Sequence, residues 1–355
     1  MVLERAAAGQ VPQRGVGPQR IVYLSFLHLV IVVPSIYREP KVRDVLEDIC
    51  RASRAPSTVS KYSRVFSGWQ TWCLERGESA LPGRHDSISR YLVNLHLTGA
   101  PFSRVESAFY SIKWHHDCSP LVSENPCNRS YLRCLLEGLR RIHAKPTTKK
   151  DPVSPECLLK IVLKFGMGQN LLHIRSCAII LLSFAGFLRN DELVNIRECD
   201  LEFHPGFVRI FIRKSKMDQL RDGAWVVVGE TGSVSCPVKM LKQYMQLAES
   251  GNSSDFLFRP VRFFRSLQKH RLQAGQLSYS RCRELFKEAL EGVGLDSARF
   301  GLHSLRAGGA TAAARSGVPD RLFKRHGRWK SDGAKDGYVQ DSLKSLLSVS
   351  LNLGL

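Results

Sequence analysis

From Phe207 to Arg213 apolar and polar side chains alternate at period two, in a chain whose apolar positions otherwise recur at threes and fours. Ala224-Trp225-Val226-Val227-Val228 is also β-rich, so the polar stretch between the two runs reads as the loop of a hairpin. This hairpin rules out an all-helical chain, yet from Lys41 to His143 only helical spacing is seen. The expected fold class is mainly α with a small antiparallel β-sheet: an all-helical first domain followed by a mixed α/β second one.

In the first domain Val42, Val45, Leu46 and Ile49 repeat at helical spacing. Pro56-Ser57-Thr58 opens a second helix in which Tyr62, Val65, Phe66, Trp69 and Trp72 recur. Ile88 to Leu97, Arg104 to His116 and Tyr131 to His143 follow as further helices. The aromatic stripe reads as core, which leaves the basic positions within it, Lys61 and Arg64, for a polyanion.

Residues 145–153 are polar, basic and proline-bounded, and divide a domain at 41–144 from one at 154–345, with a short tail at 346–355. Ser154-Pro155 opens the second domain as an N-cap followed by proline. Val238 to Leu247, Tyr279 to Val293 and Leu343 to Leu351 are its later expected helices. Residues 1–40 have no periodicity apart from the apolar run Ile21 to Val33, which is too short to span a bilayer comfortably. It is read as an uncertain leader; the charge and cysteine pattern count against secretion.

The formal charge of +20 is spread over both domains, with 18 basic against 10 acidic residues from Lys41 to Lys150. Such a balance suits two domains that both touch nucleic acid, although a ribosomal or membrane-surface protein would share it. Arg140, Arg141, Lys149 and Lys150 join Lys61 and Arg64 as expected phosphate contacts. Ten cysteines, among them Cys50, Cys73 and Cys118, are scattered without a Cys-x-x-Cys pair. That argues for reduced thiols and against both a disulfide scaffold and a zinc site, so no metal or other cofactor is expected.

The residues that carry chemistry lie in the second domain. His303 and Arg306 are three apart on a small-residue helix, side by side for one ligand, and an imidazole with a guanidinium suits a phosphate. Trp329 follows Gly327-Arg328, and Tyr338 comes nine residues later in a polar run that would present it rather than bury it. Upstream, an apolar helix from Ile174 to Phe184 delivers Arg189, with Glu192 three residues on. Lys214 and Lys216 sit in the hairpin loop. Each of these is ordinary when taken singly; their order is not.

Arginine, hairpin lysine, His-x-x-Arg, Trp and then Tyr at nine residues resembles the tyrosine recombinases, the phage-integrase class of DNA strand-exchange enzymes. The wording around His303 to Gly309 and Lys324 to Trp329 is similar to eukaryotic transposon-encoded members. The resemblance implies that 41–144 is a SAM-like core-binding domain and 154–345 the catalytic domain, closing as a homo-oligomer, a tetramer, on double-stranded DNA without any membrane. It implies that Tyr338 is the nucleophile, that Arg189 and Arg306 clamp the phosphate, and that His303 and Trp329 assist. Lys216 would be the general acid, with Lys214 the alternative, and Glu192 would orient the array. A nuclear enzyme is expected in a eukaryote and a cytoplasmic one otherwise. Two other readings stay open: a DNA-binding protein that keeps the fold without turnover, and nicking and resealing in the manner of a type IB topoisomerase.

Overall fold

The computed structural model describes residues 40–119, 122–146, 148–215, 218, 222–250 and 254–354. The expected leader and its apolar run lie outside them, apart from residue 40. The chain divides between Lys145 and Pro146 into two compact units.

Among the described residues the first unit has five α-helices: α1 (Pro40–Ala52), α2 (Pro56–Leu74), α3 (His85–Leu97), α4 (Phe102–Asp117) and α5 (Ser130–Ile142). Phe66, Trp69 and Trp72 of α2 are buried among Ile88 and Leu92 of α3, Phe109 and Ile112 of α4 and Leu132 of α5. The aromatic stripe is therefore core. The Trp69 indole N–H finds the Ala80 carbonyl at 2.9 Å, and His116 accepts from the Gly83 amide at 2.8 Å, whereas the indole N–H groups of Trp72 and Trp114 are buried without an acceptor among the described residues. One periodic face behaves differently, since Val45 and Ile49 of α1 are exposed. Helical spacing identifies a face but does not say whether anything covers it.

In the second unit α7 (Leu171–Ala185) is largely apolar and lies at the centre, buried from Cys177 to Ser183. Packed with it are α6 (Pro155–Phe165), α9 (Pro237–Leu247), α10 (Tyr279–Gly292) and α11 (Leu302–Arg315). Gly308 and Gly309 explain how close α11 comes. A Cβ on Gly308 would stand 2.1 Å from the Val153 carbonyl oxygen, and one on Gly309 2.2 Å from that of Phe184.

The sheet has three antiparallel strands in the order β1 (Leu201–His204), β2 (Phe207–Ile212), β3 (Ala224–Gly229), with Arg209 opposite both Glu202 and Val227. Val208, Ile210, Ile212, Val226 and Val228 point into the core, as the alternation requires. Strand β1 was not expected: its Leu-Glu-Phe-His alternation runs for only four residues, too short to stand out. Nor was a second, separate hairpin, β4 (Val261–Phe264) with β5 (Lys269–Leu272). The short helices α8 (Asn190–Val194), α12 (Asp320–His326) and α13 (Asp332–Asp336), and then α14 (Leu343–Leu351), complete the unit.

Candidate active site

Three chain segments converge on the C-terminal end of α7. Gly186 stops the helix, Phe187 takes a left-handed φ of 46°, and Arg189 becomes the N-cap of α8. Glu192 reaches back from the first turn of α8. Its carboxylate accepts the Arg189 backbone N–H at 2.9 Å and the Arg189 guanidinium at 2.7 Å. The expected Arg189–Glu192 pair is thus present, and the Glu192 side chain is 1% exposed.

The second segment is the start of α11. The Gly301 amide donates to Ser304 Oγ at 3.0 Å, which starts the helix one turn before Arg306. His303 is exposed on the first turn, whereas Arg306 is fully buried. One Arg306 Nη donates to the Phe187 carbonyl and the other to that of Gly327 at 2.6 Å, so this guanidinium ties the end of α7 to the end of α12. Burial, and then the Arg189 charge, brings the Arg306 pKa down to about 10, with Glu192 opposing the fall.

The third segment carries Trp329 and Tyr338. Trp329 packs with Phe187, Phe323 and Ala310, and half-buried Tyr338 leans on that cluster. The Arg306 guanidinium carbon lies 4.8 Å from the Trp329 ring and 4.9 Å from the Tyr338 ring. The His303 and Tyr338 rings are 6.4 Å apart, and those of Trp329 and Tyr338 5.7 Å. His303, Arg306, Trp329 and Tyr338 therefore form one cluster, joined to Arg189 through Glu192. Two donors in it, Arg306 Nε and Trp329 Nε1, are buried with no acceptor among the described residues. Other buried donors lack an acceptor too, among them Trp72 Nε1 and Arg175 Nε, but two such donors beside one tyrosine suit the oxygens of a phosphate.

Lys216 lies outside the described residues. Lys214 is exposed in the loop after β2. Asp218 shapes the far side of that loop by accepting the Asp222 and Gly223 amides at 3.0 and 2.8 Å. Lys61, Arg64, Arg140, Arg141, Lys149 and Lys150 are all exposed, with Arg140 and Arg141 sharing Glu137 at 3.7 and 3.5 Å.

Two residues of the site were not anticipated. Arg328 adopts a left-handed φ of 55°, a conformation that costs a non-glycine residue on the order of 1 kcal/mol. Its guanidinium donates to the carbonyls of Phe187 at 3.1 Å and His326 at 2.9 Å, and to Glu192 at 2.8 Å. Burial alone would raise the Glu192 carboxyl; the Arg328 charge, the Arg189 amide and the charges of Arg189 and Arg306 together hold it below the usual carboxylate range. Three arginines thus surround one buried carboxylate. Thr311 is the second such residue: its hydroxyl donates to the Tyr338 carbonyl at 3.4 Å and accepts from the Gln340 amide at 3.1 Å. It fastens the backbone on both sides of Val339.

Residues 156–344 match the phage integrase family. The chain belongs to that family. Within it, an integrase/recombinase xerD homolog from Selenomonas ruminantium is 29% identical over 290 residues, covering 81% of this chain and 82% of the relative. Among solved structures, the Tn1549 transposon integrase in complex with transposon right end DNA aligns with a TM-score of 0.56 at 12% identity, covering 88% of this chain and 99% of that one. The XerH site-specific recombinase bound to palindromic difH substrate aligns with a TM-score of 0.54 at 15% identity, over 83% and 77% of the two chains. At such identities these two likenesses show a shared phage-integrase fold.

Proposed function

We propose that this chain is a site-specific DNA recombinase that cuts and rejoins strands through a 3′-phosphotyrosyl intermediate. One observation carries the reading: Tyr338 stands over a buried arginine and beside an indole whose donors, Arg306 Nε and Trp329 Nε1, have no acceptor among the described residues. In the reaction a bond forms between the Tyr338 oxygen and the scissile phosphorus as the bond from phosphorus to the 5′ oxygen breaks. The tyrosine proton leaves by way of His303. Arg306 and Arg189 meet the charge that develops on the non-bridging oxygens, and Trp329 adds its N–H. The departing 5′ oxygen takes its proton from a hairpin lysine, Lys216 or, failing that, Lys214. Religation runs the same steps backwards with a new 5′ hydroxyl, so the phosphodiester energy is kept.

Helix α14 supports a multimer on DNA rather than a monomer that nicks and reseals. Its Leu343, Leu346, Leu347, Val349 and Leu351 are all exposed, a run of apolar side chains that an isolated protein would not ordinarily leave in water. We assign the enzyme to a mobile element, on the resemblance of the His303 to Gly309 and Lys324 to Trp329 wording. In a eukaryotic cell it would act in the nucleus, and otherwise in the cytoplasm.

The test is covalent capture. The full chain is incubated with nicked suicide duplexes, and a denaturation-resistant protein–DNA adduct is sought beside the Tyr338→Phe variant. An adduct lost in the variant supports the reading, and sequencing the captured DNA begins to define the site. An adduct that survives Tyr338→Phe overturns the assignment of the nucleophile. Salt-sensitive binding with no adduct at all would favour a protein that keeps the fold without turnover.

A further inference from the structure

Between α9 and α10 the chain makes the hairpin of β4 and β5, closed at its base by the Gln273 amide on the Pro260 carbonyl at 2.7 Å. The register pairs Val261 with Leu272, Arg262 with Arg271, Phe263 with His270 and Phe264 with Lys269. Because side chains alternate across a strand, Val261 and Leu272 fall on one face and pack against the catalytic core. Arg262 and Arg271 stand directly opposite each other on the other face, and both are exposed.

Like charges placed directly across an antiparallel pair repel, so a ribbon selected only for stability would not keep them. The acidic groups nearby are held mainly by other cations, although the Glu249 carboxylate also feels the Arg271 charge. From Val261 to Leu272 there are four arginines and lysines and no acidic residue. Glu249 is taken by Lys269, while Asp255 and Glu198 are taken by Arg259. Arg262, Arg265 and Arg271 have no ion-pair partner among the described residues. At the turn Leu267 is exposed, as is Phe263 beside it, so the ribbon also ends in apolar groups.

We propose that this ribbon is a DNA-binding element, in which the Arg262–Arg271 pair and Arg265 take phosphates of the duplex outside the cleavage site. The inference rests on the recombinase reading for the identity of its polyanion. A two-stranded ribbon can lie along a major groove, which is roughly 12 Å wide, and four residues at about 3.3 Å each give it about 13 Å of length beside the phosphates. Several charges spread over that length match a row of phosphates better than a single bound anion.

The experiment measures the affinity of the full chain for a duplex as a function of salt, with the double variant Arg262→Gln/Arg271→Gln and the charge-keeping variant Arg262→Lys/Arg271→Lys. Two lost phosphate contacts should reduce the slope of log K against log salt by about 1.8 and weaken binding on the order of 50-fold at 0.1 M salt. The lysine variant should keep the slope. Thermal melting checks the fold, and the glutamine variant should melt no lower than the parent because it loses a repulsion. Duplex binding that persists with an unchanged slope in the glutamine variant overturns the proposal and leaves the recombinase reading standing. A glutamine variant that loses only its affinity for a polyglutamate probe overturns it in favour of an acidic protein surface. An unaltered chain that does not bind duplex at all sinks both readings.

Discussion

The guanidinium of Arg306 lies 4.9 Å from the ring of Tyr338, so the residue expected to attack the phosphate and the residue expected to stabilise it are already neighbours in the fold. Arg306 has two tasks here. Its Nε is buried without an acceptor among the described residues, and its Nη groups satisfy the Phe187 and Gly327 carbonyls. Arg306→Ala should lower the rate of covalent capture by roughly a hundredfold or more, the scale for one transition-state donor. It should also lower the melting temperature, because the Gly327 carbonyl loses its donor and that of Phe187 is left with Arg328 alone. Capture rates and thermal melts of the purified variant separate the two effects; a variant with unchanged melting would show that the carbonyls find other donors.

Arg328 touches no reacting atom in this arrangement, but it is the first opposing charge that keeps Glu192 ionised against its own burial. Glu192 has a depressed pKa in the fold. Its contribution to stability is therefore present above the ordinary carboxylate range and is lost as pH falls through the lowered folded value. In Arg328→Ala burial gains on the remaining charges, so the carboxyl should rise and the acid limb of the capture profile should move to higher pH. Breaking this buried pair should also cost about 3 kcal/mol in denaturant unfolding. Arg328→Lys should restore part of the pH profile, and an acid limb that does not move in either variant would sever Glu192 from the reaction.

Thr311 offers a gentler perturbation. Thr311→Val keeps the shape of the side chain and removes both hydrogen bonds that hold the backbone around Val339. At about 1 kcal/mol for each bond, single-turnover cleavage should fall by up to about 30-fold. Duplex affinity measured by anisotropy should stay near that of the parent. A fall in affinity without a fall in cleavage would mean that Thr311 serves the fold and not the placing of Tyr338.

For the lysine, paired single variants decide. Lys216→Ala should slow cleavage of an ordinary duplex by orders of magnitude. It should be rescued by a substrate whose 5′ leaving group is a good thiolate, which needs no proton. The same behaviour in Lys214→Ala, with Lys216→Ala normal, would move the general acid two residues upstream.

Much of this arrangement is legible in the sequence, for identifiable reasons. The α7, α9 and α10 helices and the β2–β3 hairpin announce themselves because their apolar residues repeat at the period of a buried face. His303, Arg306, Trp329 and Tyr338 are found by type and spacing, and the fold brings all four together around one ring. Arg328 escapes because it follows Gly327 and reads as part of a turn, while the carboxylate that explains it lies 136 residues upstream. Thr311 is hidden among alanines, and its partners are backbone atoms that leave no trace in the sequence. The β4–β5 ribbon is missed because arginines occupy the alternate positions that would otherwise show a strand.

The carbonyl of Gly327 holds one end of the Arg306 guanidinium, and that of Phe187 holds the other. These two carbonyls belong to segments made far apart in time as the chain is synthesised. Until the second has left the ribosome the arginine has only half its support, and neither the indole nor the tyrosine yet exists. A nascent chain can therefore carry a finished first unit and most of the second while this cluster is still open. The cluster closes only when the segment that carries Gly327, Trp329 and Tyr338 has joined it.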